Sequence, residues 1–486
     1  MEGDEEKLET FLKWAANIGI SDSPRPLQSS TQSPSSSCLG RSLSIAQFPD
    51  AGGRGLAAAR DLRRGEVILR VPRAALLTRE SVLEDQKLAV SVCKYPHLSS
   101  TQVLTVCLLA EVGKGRGSRW HPYLMQLPRT YDTLANFNLF EIQALQVDDA
   151  IWASEKAISK HQSDWKEALI LMQEVGLKPQ LLTFRSWLWA SATISSRTLH
   201  TPWDDAGCLC PVGDFFNYAA PEEESFCSED EMHMVGVSSN CSSLRAEINT
   251  EKSNDEQLDC NSQRLTDGGY EEDIAAYCFY ARRNYKKGEQ VLLCYGSYSN
   301  LELLEHYGFL LKSNPSDRAF IQLDMSIRSS HSWPNDSLYI QQDGKPSFAL
   351  LSALRLWATA PNLRREVGHL AYSGSLLSTE NEVSVMKWLS KKCQGLLETL
   401  PTSMEEDGLL LDVIDKMQNH WSPAFGVQML ACEGELNDFF LANGLQKGDV
   451  AGFQLTTKAM RSMQRWRLAV EWRFRQENKS CNLVLY

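Results

Sequence analysis

The sequence predicts an α+β fold, in which a β-rich domain is split by a helical insert and followed by an all-helical domain. Strands are indicated by short apolar runs bounded by turn residues, at 43–48, 66–71, 274–281 and 289–294. Between the second and third runs, residues 81–182 have the apolar spacing of helices. Helical spacing returns beyond residue 329, so we expect a β-rich domain at 40–310 and a helical domain at 329–486.

Residues 1–39 are predicted to form a helix and a flexible loop. Residues 8–18 have the apolar spacing of a short helix, and residues 21–37 are rich in Ser, Pro and Gln. The first two strands are separated by the glycine-rich stretch Gly52-Gly53-Arg54-Gly55, which taken alone is interpreted as a turn.

The segment 221–273 differs from the rest of the chain. It contains about fifteen acidic residues against three basic ones, and it has few large apolar side chains. Such a segment buries too little apolar surface to offset the entropy lost on ordering. We therefore expect a disordered acidic loop on the surface.

Composition and charge restrict the classes of function. A net charge of -12 argues against direct nucleic-acid binding, which requires a basic face, and suits a basic protein partner. No apolar run approaches the roughly 20 residues that cross a bilayer, and the N-terminal segment is acidic, unlike a secretory or organellar leader. We expect a soluble protein of the cytoplasm, the nucleus or both.

The thirteen cysteines follow no repeated spacing, which is typical of reduced thiols in such compartments. The close pair Cys208 and Cys210 lacks the two-residue gap and the second pair of a zinc site. We therefore predict no metal.

The last predicted helix, at 458–476, alternates arginines with large apolar side chains. This pattern indicates a terminal helix that docks by its apolar stripe. The alternative is a contact with nucleic acid or a membrane, and the acidic total charge favours docking.

Two phenols follow the last predicted strand of the β-rich domain. Tyr295 lies in the run 294–300 directly after that strand, and Tyr307 closes a short segment of helical composition. Either tyrosine alone is more often a core aromatic with a satisfied hydroxyl. As a pair on rigid supports, they indicate the wall of an active site.

Four segments in this order resemble the SET-domain methyltransferases: Gly53-Arg54-Gly55-Leu56, Ser196-Arg197, Gly213-Asp214-Phe215-Phe216-Asn217, and Tyr295-Gly296 with Tyr307-Gly308-Phe309. The chain is most similar to the Rubisco large-subunit lysine methyltransferase class. That resemblance implies a β-rich SET domain split by a helical insert and followed by an all-helical substrate-binding domain. It covers nearly the whole chain, including Trp120-His121-Pro122-Tyr123-Leu124 in the insert.

The resemblance implies S-adenosyl-L-methionine as cofactor and a lysine-bearing protein as substrate. The catalytic residue is expected to be Tyr295, which orients the lysine nitrogen. The matching cofactor-binding positions are Gly52, Arg54, Arg197, Asn217, Tyr218, Tyr295 and Phe309. The matching substrate-binding positions are Leu199, Asp214 and Tyr307. From the residues alone, Arg197 could instead cap its helix and Asp214 could bind turn amides.

The sequence departs from the family at one position of the cofactor site. Tyr218 stands where the family usually has a histidine, and Ala219 follows where a serine is common. One alternative is therefore a SET fold that has lost catalysis and serves as a protein-binding module. Another is histidine methylation, which in this branch accompanies changes near the second phenol, here Tyr307.

No cysteine-rich zinc segment follows Phe309, unlike many histone-directed relatives. The helical domain must then shape the substrate site. We expect a monomer that modifies a non-histone protein.

Overall fold

The computed structural model describes residues 2–23, 37–49, 53–221, 267–328, 332–419, 433–445 and 455–485. Most of the predicted N-terminal loop, Gly52, and residues 222–266 of the predicted acidic loop lie outside these ranges. The predicted N-terminal helix is present as α1, which spans Glu2–Asn17 and is longer than the predicted 8–18. Its residues Phe11 and Ala15 are fully buried in the main hydrophobic core.

The β-rich domain is built from small sheets. The strands are β1 Leu43–Phe48, β2 Gly53–Ala58, β3 Val67–Pro72, β4 Thr198–Thr201, β5 Asp204–Leu209, β6 Asn217–Tyr218, β7 Gly268–Glu271, β8 Ala276–Tyr280 and β9 Gln290–Leu293. They form a four-stranded sheet of order β1-β2-β9-β6, a three-stranded sheet of order β3-β8-β7, and the pair β4-β5. Most neighbours are antiparallel, but β6 runs parallel to β9. The parallel pairing brings residue 217 beside the strand that leads to Tyr295.

The glycine-rich stretch near residue 53 is a strand and not a turn, which corrects the interpretation from sequence. Gly53, Arg54 and Gly55 belong to β2, which pairs with β1 from Phe48 opposite Gly53 to Leu43 opposite Ala58. Glycines disfavour strands in isolation. Here pairing with β1 on one side and β9 on the other imposes the extended conformation.

The C-terminal end of the segment predicted as an acidic loop is also a strand. Residues 268–271 form β7, which pairs antiparallel with β8 through the turn at 272–275. The Tyr270 ring packs edge-on against Trp203, with ring centroids 4.4 Å apart. Backbone pairing and this aromatic contact stabilise a segment whose acidic and glycine-rich composition predicts a loop.

The helical insert is confirmed between β3 and β4. Its helices are α2 Arg79–Val82, α3 Gln86–Val92, α4 Ser100–Lys114, α5 His121–Leu124, α6 Leu139–Gln143, α7 Asp148–Glu174 and α8 Phe184–Arg197. Helix α4 lies at the centre, because every residue from Val103 to Leu109 is buried. Helix α8 then returns the chain to the sheets and ends at Arg197.

The C-terminal half is mainly helical, as predicted. It contains α9 Asn300–His306, α10 Met325–Arg328, α11 Phe348–Ala358, α12 Arg364–Tyr372, α13 Thr379–Thr399, α14 Met404–Asn419, α15 Glu433–Asn443 and α16 Thr457–Leu485. The sequence patterns missed a short antiparallel pair, β10 Arg318–Phe320 and β11 Tyr339–Gln341. With three residues each, these strands are too short to show an alternating pattern.

Helix α16 docks by its apolar stripe, which confirms the prediction for the terminal helix. Met463, Trp466 and Val470 are fully buried. Carboxylates hold four of its arginines: Arg465, Arg467, Arg473 and Arg475. Arg473 donates to both oxygens of Asp407, at 2.6 and 2.5 Å. These arginines are structural. Within the described ranges, no helix has the length and apolar character required to cross a membrane.

Candidate active site

A strand, a loop and a helix position the two candidate phenols. Strand β9 ends at Leu293, and Ser299 caps α9 by accepting a hydrogen bond from the Glu302 backbone amide, while the Glu302 side chain accepts one from the Ser299 amide. The amide of Asn300 donates to Asp317 at 2.9 Å, which fixes the start of the helix. Tyr295 precedes this anchored helix in the chain, and Tyr307 directly follows it.

The aromatic rings of these segments form one cluster. Tyr295 stacks on Tyr307 with ring centroids 5.5 Å apart and an interplanar angle of 28°. Tyr298 packs on Tyr307 at 5.5 Å, and Tyr218 packs on Tyr295 at 5.2 Å. Phe309 completes the cluster, 6.0 Å from both Tyr218 and Tyr307. Such rings form a rigid apolar wall with a few polar edges.

Two phenol hydroxyls of this wall donate hydrogen bonds to backbone carbonyls. The Tyr295 hydroxyl donates a hydrogen bond to the backbone carbonyl of Phe216. The Tyr218 hydroxyl donates to the carbonyl of Gly296 at 2.7 Å. Burial raises the pKa of Tyr295 above its ordinary value, and burial together with the Tyr298 hydroxyl does the same to the pKa of Tyr307. Both phenols are therefore uncharged at neutral pH.

A cavity of about 660 Å³ opens beside the cluster, a size within the usual range for ligand sites. Five of the predicted site residues line it: Arg197, Leu199, Asp214, Tyr295 and Tyr307. Asn217, Tyr218 and Phe309 are not among its lining residues. Tyr218 and Phe309 instead pack against the tyrosines of the wall.

The polar end of the cavity is an ion pair. The Arg197 guanidinium donates to the Asp214 carboxylate at 3.0 Å and to its backbone carbonyl at 3.1 Å, and Tyr123 donates to the same carboxylate at 3.0 Å. Burial lowers the pKa of Arg197, but Asp214 together with Tyr131 and Tyr123 more than offsets this, and the pKa lies above its ordinary value. Arg197 is thus charged, and its Nε has no hydrogen-bond partner among the described residues.

Arg54 lies beside this ion pair and outside the cavity. It donates to the Gln126 side chain at 2.9 Å, and its guanidinium carbon lies 4.3 Å from the centroid of the Phe215 ring. Burial lowers the pKa of Arg54, and the charges of Asp214 and Arg197 also act on it. In this structure its side chain is held by the insert.

Asn217 and Gly55 meet at the junction of β2, β9 and β6. A Cβ atom on Gly55 would lie 2.6 Å from the Asn217 Nδ2 atom, so only glycine permits this approach. The Asn217 Nδ2 atom is buried, and so is the Gln290 Nε2 atom nearby; neither has a hydrogen-bond partner among the described residues. Unpaired buried donors are costly, so this junction is suited to a ligand that accepts hydrogen bonds.

Sequence reasoning missed several residues of the site. Tyr270 and Phe279 line the cavity, and the Tyr298 ring packs at a tilt against Tyr307. Tyr298 lies in the run 294–300 that also contains Tyr295, so the sequence could have indicated it as a site residue. The acceptor carbonyl of Phe216 is 79 residues from Tyr295, and no local pattern indicates such a contact.

In the part of the chain that the structure describes, no group of three or more His, Cys, Asp or Glu side chains is arranged to hold a metal ion. Cys208 and Cys210 are both fully buried in the main hydrophobic core.

Two family models match the chain. Residues 53–296 match the SET domain, and residues 304–421 match the Rubisco LSMT substrate-binding domain. Across its full length the chain is 51% identical to Protein SET DOMAIN GROUP 40 of Arabidopsis thaliana, of which it covers 96%. It is also 25% identical, over 76% of its length, to the actin-histidine N-methyltransferase of Xenopus tropicalis, of which it covers 62%.

Solved structures show the same fold. The SET domain of LSMT bound to lysine and AdoHcy matches with a TM-score of 0.57 and 17% identity, covering 98% of this chain and 90% of that chain. LSMT bound to sinefungin and monomethyllysine matches with a TM-score of 0.56 and 18% identity, at the same coverage. The chain therefore belongs to the SET-domain family and has the LSMT-like arrangement of a SET domain followed by a substrate-binding domain.

Proposed function

We propose that this protein is an S-adenosyl-L-methionine-dependent methyltransferase that modifies a lysine side chain of a protein substrate. The observation that carries the proposal is the stacked pair Tyr295 and Tyr307 at the wall of the 660 Å³ cavity. The related LSMT structures, which have lysine or methyllysine bound, support it.

The residues at the junction of β2, β9 and β6 fit the proposed cofactor. When bound, S-adenosyl-L-methionine supplies an electrophilic methyl group. The unpartnered Asn217 and Gln290 amide nitrogens are donors for its polar groups. The charged Arg197, with its Nε free, suits the cofactor's carboxylate.

Tyr295 can orient the amine without acting as a base. Its hydroxyl proton is committed to the Phe216 carbonyl, which leaves the oxygen lone pairs to accept an N–H bond from the lysine nitrogen. The nitrogen lone pair then remains free for attack. In an in-line methyl transfer, alignment of this kind supplies much of the rate.

The aromatic wall also favours the neutral amine. The side chains around the phenols are mostly aromatic or aliphatic, including Tyr218, Leu303 and Phe309. Desolvation in such surroundings disfavours the ammonium form and lowers the pKa of lysine from about 10.4. More of the substrate can then react at neutral pH.

Tyr218 does not argue against catalysis. It keeps the backbone pairing of β6 with Leu293 of β9, and its hydroxyl bonds to the Gly296 carbonyl. A tyrosine is thus accommodated where the family has histidine. We favour an active enzyme over a binding module on this ground. We also favour lysine over histidine as target, because the actin-histidine methyltransferases are more distant relatives.

Transfer of a labelled methyl group tests the proposal. The protein is incubated with methyl-labelled S-adenosyl-L-methionine and a protein extract. Tyr295→Phe should reduce labelling at least about 100-fold, because the variant loses the oxygen that aligns the amine. The matched control is Tyr95→Phe, which removes an exposed hydroxyl bonded to Glu174 in the insert and should leave labelling unchanged. Equal labelling by the wild type and Tyr295→Phe would reject the role of Tyr295, and absence of any labelling would reject the enzyme.

A further inference from the structure

A second pocket, of about 400 Å³, lies between the helical insert and the last helix, and it shares no lining residue with the active-site cavity. Five cationic side chains line it, together with two aromatic rings: Arg129, Arg185, Lys458, Arg461, Arg465, Tyr131 and Trp189. Arg185 and Arg197 are twelve residues apart on α8. This corresponds to about 18 Å along the helix axis at about 1.5 Å per residue. The cations of this pocket therefore lie away from the proposed methyl-transfer site, and only Tyr131 in its wall interacts with Arg197.

Most of the positive charge in this pocket is uncompensated. Arg465 is paired, because its Nε donates to Glu141 at 2.7 Å and its Nη1 lies 3.5 Å from Asp132. For the other four cations, no carboxylate of the described residues lies within ion-pair distance. The five cations less the carboxylates Glu141 and Asp132 leave an excess of three positive charges in one concave site. The chain as a whole has a net charge of -12.

The geometry adds to the positive potential. Arg185 lies in the first turn of α8 and Lys458 in the first turn of α16, where the partial charge of a helix is positive. Tyr131 is nine-tenths buried in the pocket wall, where its hydroxyl lies near the Thr193 and Arg197 side chains. Converging guanidinium groups match phosphate oxygens in shape and charge.

We propose that this pocket binds a compact anion that carries more than one phosphate group. The volume suits a small molecule, and the concave shape with four unpaired cations distinguishes it from a flat solvated surface. Trp189 and Tyr131 provide aromatic surface at the same place, which allows either an inorganic phosphate chain or a nucleotide.

Calorimetric titration of the full chain with sodium tripolyphosphate tests this proposal. We expect one saturable site, with affinity weakened at least tenfold between about 0.05 and 0.3 M salt because several charges are neutralised. The double variant Arg185→Glu/Lys458→Glu should lose at least tenfold in affinity. Both changes place an acidic residue in a first helical turn, where it is favourable, so folding should be retained.

A matched control separates a local site from net charge. Arg116→Glu/Lys391→Glu makes the same charge change at two exposed positions outside the pocket and should alter affinity less than twofold. Uridine triphosphate, as a second probe, distinguishes the two kinds of anion. Tighter binding than tripolyphosphate indicates that the pocket binds a nucleotide, and equal binding indicates that it binds a phosphate chain. Absence of saturable heat, or equal losses in the two double variants, would overturn the proposal.

Discussion

At the scale of single residues, the site is defined by hydroxyl groups whose partners are distant in sequence. The sequence predicted that Tyr295 and Tyr307 form one wall of a site, and the structure brings their rings into a stacked contact. It did not predict that the Tyr295 hydroxyl is committed to the Phe216 carbonyl. The sequence also left open whether Arg197 caps its helix or binds the cofactor. In the structure its guanidinium donates a hydrogen bond to Asp214. Such pairings depend on the tertiary fold.

The pH dependence of methyl transfer should report the substrate amine and not the phenols. Burial raises the pKa of Tyr295 above about 10, so this acid stays protonated as the pH rises towards that value. Initial rates at saturating protein substrate, which report the bound amine, should therefore rise between about pH 6.5 and 9.5 with a single inflection. A falling limb that disappears in Tyr295→Phe would contradict this account, because it would show that the phenol ionises in that range.

The ion pair at the polar end of the cavity should be required for stability as well as binding. Asp214 is almost fully buried, with its side chain 1% exposed, and it pairs with Arg197. Asp214→Asn keeps the shape but leaves the guanidinium without a counter-charge, so we expect a loss of roughly 3 kcal/mol in the free energy of unfolding. Urea denaturation followed by fluorescence measures this loss.

Asp61→Asn is the control for that measurement. Asp61 pairs with Lys286 at the surface, where both side chains are mostly exposed, and little change is expected. Similar stability of the wild type and Asp214→Asn would show that the buried pair is not needed for folding.

At the scale of elements, the order of strands and helices was predictable and their pairing was not. Strand β1 spans the predicted residues 43–48, and helix α16 begins one residue before the predicted start at 458. Strand β2 was missed because its glycines favour a turn locally, whereas its conformation is imposed by β1 and β9. Strand β7 was missed for the same reason, since its partner β8 and the Trp203 ring lie outside its own segment.

Gly55→Ala tests the close approach of β2 to Asn217. The new methyl group would lie 2.6 Å from the Asn217 amide nitrogen and about 3.1 Å from Gln290 and Phe48, so the amide must move. On the proposed function, affinity for S-adenosylhomocysteine should fall at least tenfold in a calorimetric titration.

The control substitution for Gly55→Ala is Gly368→Ala, a helical position with no heavy atom near the added methyl group. Alanine is favoured over glycine in helices, so this variant should bind the ligand like the wild type. Equal affinities for all three proteins would show that Asn217 does not contact the ligand.

At the scale of the whole molecule, the sequence predicted a β-rich domain, its helical insert and a helical domain in the right order, and the family matches agree with this arrangement. The active-site cavity could be anticipated because its motifs are local runs at strand and helix ends. The cationic pocket could not, since its residues come from the helical insert and the last helix, more than 260 positions apart, which meet only in the folded chain. A monomer in the cytoplasm or nucleus stays a prediction.

Mapping the modified residue tests the central claim most directly. The protein is incubated with a protein extract and S-adenosyl-L-methionine bearing a deuterated methyl group, and tandem mass spectrometry locates the label. A cavity walled by Tyr295 and Tyr307 that aligns a neutral amine predicts label on lysine side chains, and its loss with Tyr295→Phe. Label on histidine alone, or label on lysine that persists in Tyr295→Phe, would contradict the account.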